Sequence, residues 1–258
     1  MIETRKLLRY FGKLYPKRIA KENHDFVGLM TGKLPEKIER IVICLDLDRS
    51  IIEEVLVFKP DIVFTHHPFI YGTRFQVFKK DEDKKEFALY LDEINLPVYS
   101  LHTNFDSGKQ GMNDALAERL ELINIRPLEN NPMARGGELK EPFKIAEFAS
   151  FATKILNVPY GLLIDKGEQL IRSVAIVGGA GSRSWKVAKE EGYDLFISGD
   201  VPHYVRRDIE LANYNYLDLP HEIENIFMEQ LKKVLLDLDP ALKIKTITHE
   251  MPPKVIRV

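Results

Sequence analysis

Short runs of aliphatic residues alternate along the chain with longer stretches in which apolar residues recur at helical spacing. The short runs are typical of buried strands and the longer stretches of amphipathic helices. Strands are predicted over 41–47, 61–65, 97–101, 160–164, 174–177, 194–198, 214–219 and 243–248. Helices are predicted over 3–14, 50–58, 82–94, 112–120, 142–156, 184–191, 202–212 and 222–236. Because helices separate the strands, we expect right-handed crossovers and an α/β fold with mostly parallel sheets.

The order of elements in the first half of the chain returns in the second half. The segments IVICLDLDRS, DIVFTHHPFIY and VYSLHTNFD correspond in order to SVAIVGGAGS, DLFISGDVPHY and YNYLDLPHE. Sequence identity between them is low, so chance similarity of two ordinary βαβ units is the alternative. We predict two related α/β halves, 1–130 and 131–258, that form one compact unit, with the irregular stretch NNPMARGG near their junction. Their polar strand ends are expected to converge on a metal site in the cleft between the halves.

Composition and charge narrow the class of protein. The 258 residues carry a net charge of −2, which argues against a basic nucleic-acid-binding surface and a polybasic membrane anchor. The apolar runs are far shorter than the ~20 residues that span a bilayer. The first residues lack the apolar core and the small-residue cleavage site of a secretory leader, so we expect no secretory signal. The single cysteine, Cys44, excludes an intramolecular disulfide and a thiolate-rich metal site, which leaves histidines and carboxylates as metal ligands.

Five of the seven histidines follow predicted strands, namely His66, His67, His102, His203 and His221. The backbone leaves a sheet at the end of a strand, so side chains from neighbouring strands can converge there. The two remaining histidines show no such pattern and are interpreted as structural or surface residues. The five strand-end histidines therefore mark the candidate site.

Three segments supply the candidate ligands. In THHP, His66 and His67 can reach two different ions where the chain turns, or can cap the strand with one ring buried and one exposed. In HTNFD, Asp106 is either a ligand, supported from behind by the preceding His102 or Asn104, or a residue of a helix-capping turn.

In PHEIEN, His221 and Glu224 are three residues apart on one helix face, although acidic residues also favour a helix N-terminus for electrostatic reasons. In SGDVPH, Asp200 and His203 are interpreted as supporting or facing a substrate, or as a helix cap.

Imidazole and carboxylate donors suit Zn, Fe, Mn, Co or Ni. Three histidines and two carboxylates are too many for one catalytic ion, but suit two divalent ions ~3.5–4 Å apart that share a bridging carboxylate and water. The excess positive charge favours an anionic substrate. The glycine-rich segment GGAGSRS follows a strand, but it lacks the phosphate-loop motif, so it is either an anion site or an ordinary helix-entry turn.

These segments resemble the NIF-three-like family of dinuclear-metal proteins, whose members are often named GTP cyclohydrolase type 2 homologues. The resemblance covers nearly the whole chain, and its specific motifs are THHP and HTNFD, with the GG-GS and SGD segments in support. It implies a two-metal site on His66, His67, Asp106 and His221. It also implies a site role, assigned here as catalytic, for His203.

The resemblance implies a bridging glutamate shortly after His221, and here the sequence departs from the family pattern. The family places this glutamate four residues after the histidine, where this chain has Asn225. We assign the role to Glu224, with Glu222 as the alternative.

The resemblance further implies a cytoplasmic homohexamer with metal sites facing an inner cavity, in a short form without the inserted domain of longer members. It favours a metal-dependent hydrolase that acts on an anionic or nucleotide-like small molecule. The alternative is a non-catalytic metal-binding or regulatory scaffold. Neither a membrane nor a nucleic-acid partner is expected.

Overall fold

The computed structural model describes residues 1–256, which contain thirteen strands and eleven α-helices. The strands are β1 (Ile2–Glu3), β2 (Gly28–Thr31), β3 (Lys37–Ile38), β4 (Arg40–Cys44), β5 (Ile62–Thr65), β6 (Val98–Ser100), β7 (Ile123–Pro127), β8 (Arg135–Lys144), β9 (Leu162–Asp165), β10 (Leu170–Ile176), β11 (Leu195–Gly199), β12 (Asn215–Leu219) and β13 (Lys243–Ile247). The helices are α1 (Thr4–Leu14), α2 (Lys17–Glu22), α3 (Ile52–Phe58), α4 (Arg74–Lys80), α5 (Glu82–Glu93), α6 (Thr103–Ser107), α7 (Met112–Arg119), α8 (Ile145–Ile155), α9 (Trp185–Glu190), α10 (His203–Leu211) and α11 (Ile226–Leu238). Short 3₁₀ turns occupy Ser182–Ser184 and His221–Asn225.

The chain divides into two compact units. Unit 1 comprises residues 1–111 and 227–250, and unit 2 comprises residues 112–226 and, among the described residues, 251–256. These bounds differ from the sequence-based halves, 1–130 and 131–258, which describe the internal repeat and stay a prediction.

The sheet of unit 1 has the strand order β13-β4-β5-β6-β2. The first four strands run parallel, and β2 pairs antiparallel with β6 at the edge. The apolar residues of β4 and β5 are fully buried on both faces of the sheet, as expected for parallel strands covered by helices. Cys44 ends β4 as a buried thiol, as predicted, and burial raises its pKa.

The sheet of unit 2 has the strand order β7-β8-β10-β11-β12-β9. Strands β10, β11 and β12 run parallel, whereas β8 and β9 pair antiparallel with the two sides of this central part. The parallel pairing of the three central strands is as predicted. The antiparallel pairing of the flanking strands was not predicted, because an alternation of strands and helices indicates only parallel pairing.

The internal repeat extends to the edge strands. The order β4-β5-β6-β2 in unit 1 matches β10-β11-β12-β9 in unit 2, each with three parallel strands and one antiparallel strand that precedes them along the chain. This arrangement confirms the prediction of an α/β fold with related halves. The last strand of each half belongs to the sheet that the other half forms. Strand β7, from the first half, pairs with β8 in the sheet of unit 2, and β13, from the second half, pairs with β4 in the sheet of unit 1.

Five strands were not predicted, namely β1, β2, β3, β7 and β8. The residues of β7 and the second part of β8 are mostly exposed, so they lack the apolar run that marks a buried strand. Pro142, taken as a helix start, lies within β8 between the paired residues Glu138 and Phe143, where the register of the β8–β10 pairing shifts. A proline is tolerated at such an irregularity because no regular ladder hydrogen bond needs its N–H.

No helix in the described part of the chain combines the length and the apolar character needed to cross a membrane.

Candidate metal centre

His66 and His67 lie directly after β5, where the backbone turns out of the sheet of unit 1. Both backbone amides donate hydrogen bonds to the same acceptor, the carbonyl of Leu45, at 3.0 and 3.1 Å. This shared acceptor bends the chain so that the two rings lie on the same side, with centroids 4.9 Å apart. The turn therefore overrides the alternation of side chains that a continuing strand would impose.

The ring of His66 is fully buried, and its orientation leaves one nitrogen for a ligand role. Its Nδ1 lies 2.9 Å from the carbonyl oxygen of Leu101, which can only accept, so Nδ1 carries the proton. The other nitrogen, Nε2, lies 3.6 Å from Oδ1 of Asp106, which is itself buried in α6. These contacts place the predicted ligands His66 and Asp106 side by side.

Carboxylates hold the rings of His67 and His102 in the same way. The Nδ1 of His67 lies 2.8 Å from Oδ2 of Asp46, and the Nδ1 of His102 lies 2.8 Å from Oδ2 of Asp25. Burial favours the neutral form of Asp25, but hydrogen bonds from His102 and Thr103 outweigh it and lower the pKa of this carboxyl. Both rings consequently donate through Nδ1 to a carboxylate, which turns Nε2 towards a ligand role.

His66, His67 and His102 form a group whose candidate ligand atoms all lie within 4.8 Å of one another. We call this group the histidine cluster. Three imidazoles at this spacing could hold one divalent ion. His102 was expected behind Asp106 as a support, whereas the structure places it among the potential ligands of the cluster.

In unit 2, His221 and Glu224 lie in the 3₁₀ turn that precedes α11. Residues three apart eclipse one another in a 3₁₀ turn, and His221 Nε2 accordingly lies 3.0 Å from Glu224 Oε2. This geometry confirms that the two side chains share one face. The nearby Glu222 belongs to the same turn, but the contact with the imidazole is made by Glu224.

His221 also contacts Asp200, which follows β11 in the left-handed conformation with φ of 54°. The hydrogen bond to Glu224, together with Asp200, raises the pKa of His221 to about 9 against the opposing effect of burial. Asp200 does not cap α10, whose N-cap is Pro202 without a side-chain hydrogen bond. The cap interpretation is therefore wrong, and Asp200 orients the His221 ring.

His203 is the first residue of α10, and its side chain is exposed. Asn225, at the family's usual glutamate position, is the last residue of the 3₁₀ turn and is partly buried. The site roles of these residues stay predictions.

One feature shared by His66, His67, His102 and His221 supports a metal-binding role. In each ring Nδ1 faces an oxygen acceptor, which is a backbone carbonyl for one histidine and a carboxylate for the other three. Histidine ligands characteristically donate their second nitrogen to such an acceptor, which fixes the tautomer and the ring orientation. Imidazole nitrogens with buried carboxylates beside them suit a transition-metal ion, so the residues present fit the predicted group.

Asp25 and Asp46 were not predicted as partners of the histidine rings. Asp46 follows β4 by two residues, so the strand-end argument used for histidines could have found it. Asp25 precedes the short edge strand β2, and no pattern along the chain connects it to His102, 77 residues away.

The glycine-rich segment of unit 2 packs against Glu224. At Gly179, with φ of +58°, an added Cβ would lie 2.2 Å from Glu224 Oε1. We expect Gly179→Ala to lower the free energy of unfolding by about 1–2 kcal/mol through backbone strain alone, and to displace the carboxylate in addition. Chemical denaturation together with metal analysis measures the two effects.

Gly192→Ala is the matched control, because Gly192 has φ of +84° and nothing within 4 Å of an added Cβ. Gly192→Ala should lower the free energy of unfolding through the same backbone strain and should keep the normal metal content. Equal metal content in the two variants would contradict a ligand role for Glu224.

The fold and these side chains define an α/β protein with several histidine and carboxylate groups that could hold a metal ion. The profile of the family described as Duf34/NIF3 (NGG1p interacting factor 3) matches residues 2–253, and the chain belongs to this family.

Relatives and solved structures agree with this assignment. A protein of Clostridium perfringens named GTP cyclohydrolase 1 type 2 homolog is 30% identical over 208 residues, covering 78% of this chain and 79% of its own. A protein of the same name from Methanocaldococcus jannaschii is 29% identical, covering 92% and 98%. The structure titled reduced HcgD from Methanocaldococcus jannaschii aligns with a TM-score of 0.78 at 28% identity, covering 95% and 97%. A Bacillus cereus protein related to NIF3 has a TM-score of 0.86 at 18% identity, covering 99% of both chains, and shows the shared fold.

Proposed function

We propose that the protein binds two divalent transition-metal ions and hydrolyses an anionic, nucleotide-like small molecule. The proposed ligands are His66, His67, Asp106, His221 and Glu224. The observation that carries the proposal is that each ligand histidine turns Nδ1 towards a fixed oxygen, so that Nε2 is the nitrogen that would bind a metal. The proposal takes ligands from both halves of the sequence, 1–130 and 131–258.

Bound divalent ions would supply Lewis-acid polarisation of the substrate and an activated water. The chain's own residues would hold and orient these ions. Asp46 and Asp200 fix the rings of His67 and His221, and the backbone carbonyl of Leu101 fixes that of His66. Each acceptor also increases the electron density of the imidazole it holds, which strengthens its Nε2 as a ligand.

The names of the relatives support a nucleotide as the substrate class. Proteins that align with most of this chain are named GTP cyclohydrolase 1 type 2 homologs. We extend the nucleotide part of that name to this chain only as a proposal. Guanosine triphosphate is therefore one member of the substrate panel.

The alternative function is a non-catalytic metal-binding or regulatory scaffold. It is favoured by the fact that Asp25, Asp46 and Asp200 each accept a hydrogen bond from a histidine ring. Carboxylates that orient histidine rings support metal binding rather than proton transfer to a substrate. The exposed His203 is then the residue to which an acid–base role is assigned. The two functions differ in turnover, whereas both require metal.

Elemental analysis of gently purified protein tests the metal proposal, with up to two equivalents per subunit expected. Protein that contains no metal, and takes up neither Zn nor Mn when these are added, would contradict it. Metal-replete protein is then assayed with nucleotides, phosphoesters and cyclic amides. Turnover of one class supports the hydrolase, and an inert protein with full metal content supports the scaffold.

His203→Ala is expected to keep its metal and to slow turnover by about 10²–10⁴-fold, the range for a lost general acid or base. Arg207→Ala, an exposed substitution on the same helix, is the control and should leave the rate unchanged. Steady-state kinetics and metal analysis of the two variants provide the measurement. Full activity of His203→Ala would remove this residue from the mechanism, and loss of metal would make it a ligand.

The assembly and the cellular location are also proposals. We propose a homohexamer in the cytoplasm on the basis of the family resemblance. Sedimentation of the purified protein measures its oligomeric state directly.

A further inference from the structure

A cavity of about 540 Å³ lies in unit 1 between α2, the loop that follows it, strand β2 and the start of α4. Its volume falls within the range of small-molecule sites. The side chains that give it chemical character are Lys17, Lys21, His24, Asp25, Phe26 and Arg74. None of these residues is a proposed metal ligand or belongs to the family motifs named above. Asp25 alone among them has a role at the metal centre, through its hydrogen bond with His102.

The lining of the cavity carries excess positive charge. Lys17 and Lys21 are four residues apart on α2 and therefore share a helix face. Arg18 and Arg74 pair with carboxylates at 3.6 and 2.5 Å. Lys17 and Lys21, by contrast, take part in no ion pair of residues 1–256. Lys17 Nζ lies over the ring of Tyr99, 5.4 Å from its centroid, and this cation–π contact does not neutralise the charge. Both ammonium groups can thus pair with an anionic ligand.

The carboxylate of Asp25 is hydrogen-bonded to groups other than these lysines. Its Oδ2 accepts hydrogen bonds from His102 Nδ1 at 2.8 Å and from Thr103 Oγ1 at 2.7 Å. Its Oδ1 accepts from the amide of Phe26 at 2.7 Å, and only 1% of the side chain is exposed. Both oxygens of Asp25 are therefore already hydrogen-bonded to these donors.

Two exposed aromatic rings accompany the lysines. Phe26 lines the cavity with 37% of its surface exposed, and the adjacent Tyr71 is 54% exposed. Their ring centroids lie 5.4 Å apart at 71°. Exposed aromatic faces beside cationic side chains are the elements that bind a nucleobase and its phosphate.

The cavity adjoins the histidine cluster. Asp25 lines the cavity and also holds His102, whose ring centroid lies 5.0 Å from that of His66 and 5.5 Å from that of His67. The ring of Tyr71 lies 6.5 Å from that of His102. A ligand in the cavity would therefore lie next to the cluster.

We infer that this cavity binds a nucleoside phosphate, with the phosphate on Lys17 and Lys21 and the base on Phe26 and Tyr71. The inference rests on the proposed function for the reaction that follows binding. Binding itself needs only these side chains, so it can be measured separately. The inference gives the proposed hydrolase a substrate class and a location for the substrate's anionic end.

The test is titration calorimetry of the full chain, as purified and after chelation, with adenosine and guanosine 5′-monophosphates. The corresponding nucleosides and inorganic phosphate serve as comparison ligands. Chelation removes any direct contact between phosphate and metal. We expect at least one monophosphate to bind the chelated protein, and its nucleoside to bind much more weakly.

Lys17→Ala and Lys21→Ala should each weaken binding of that monophosphate about tenfold, the effect of one charge-assisted hydrogen bond. Arg18→Ala removes the same charge from the same helix outside the cavity, and should leave the affinity unchanged. Phe26→Ala should weaken binding of the nucleotide but not of inorganic phosphate.

The outcomes separate this inference from the proposed function. Absence of monophosphate binding to both protein forms would overturn the inference, as would equal weakening by Arg18→Ala and Lys21→Ala. Unchanged nucleotide affinity in Phe26→Ala would overturn the placement of the base. Lysine-dependent binding to a protein that takes up no metal would support the cavity and contradict the proposed metal-dependent hydrolase.

Discussion

Asp106→Asn is expected to lower the metal content by at least one ion per subunit while the free energy of unfolding changes little. The substitution keeps the shape of the side chain but replaces an anionic donor with a neutral amide oxygen. Loss of a supporting residue alone weakens metal binding by about 10–100-fold, so loss of a ligand should exceed about a hundredfold. Competition with a chelator of known affinity measures the change.

His66→Ala is the companion variant and should lower both metal content and stability. The His66 ring is fully buried and packs 5.0 Å from the ring of Phe227. Truncating a large buried side chain costs roughly 2–5 kcal/mol in the free energy of unfolding, because a cavity remains. Denaturant titration of both variants separates ligand loss from core loss. Normal metal content in Asp106→Asn would remove this carboxylate from the ligand set.

Glu224→Gln is expected to remove at least one metal ion, whereas Asn225→Ala should retain the full content. Glu224 is 4% exposed, and its carboxylate lies 3.0 Å from His221 Nε2. An amide oxygen is a weaker ligand for a transition-metal ion than an available carboxylate. The reverse result would show that the bridging role belongs to Asn225.

The contact between His221 and Glu224 also predicts how metal affinity depends on pH. The hydrogen bond to Glu224 is the largest cause that raises the pKa of His221 to about 9. This imidazole is therefore protonated in the metal-free protein at neutral pH, and a proton must leave before it binds a metal. Metal affinity should fall as the pH falls below about 9, because protons compete increasingly well for the ring.

In metal-free Glu224→Gln, the pKa of His221 should move down towards the ordinary imidazole value, whereas Asn225→Ala should leave it raised. Titration of the imidazole resonances by nuclear magnetic resonance distinguishes the two outcomes. An unchanged pKa in Glu224→Gln would mean that Asp200 alone is responsible for the shift.

The alternation of apolar runs and helical stretches was enough to predict an α/β fold with related halves. Parallel strands covered on both faces are continuous apolar runs, as in β4 and β5, and such runs are visible without any tertiary information. The polar strands β7 and β8 were missed because their pairing with other strands, rather than a local apolar run, determines their structure.

The positions of histidines at the ends of predicted strands also indicated most of the candidate ligands. His66 and His67 lie where β5 ends, and His221 lies just after β12, as predicted. The spacing of His221 and Glu224 predicted a shared helix face, which the 3₁₀ turn provides by eclipsing residues three apart. These features depend on local backbone geometry, so neighbouring residues are sufficient to indicate them.

The amino-acid sequence by itself determined the types of donor atom in this protein and their positions at strand ends. Only the tertiary structure decided which oxygen orients each imidazole, since Asp25 and His102 are separated by 77 residues and Asp46 and His67 by 21. It also placed Tyr71 against Phe26, and Arg74 beside the lysines of α2, in a cavity next to the histidine cluster. The physical reason is that hydrogen bonds and cavities form between segments brought together by packing of the whole chain, whereas periodicity reports only the local path of the backbone.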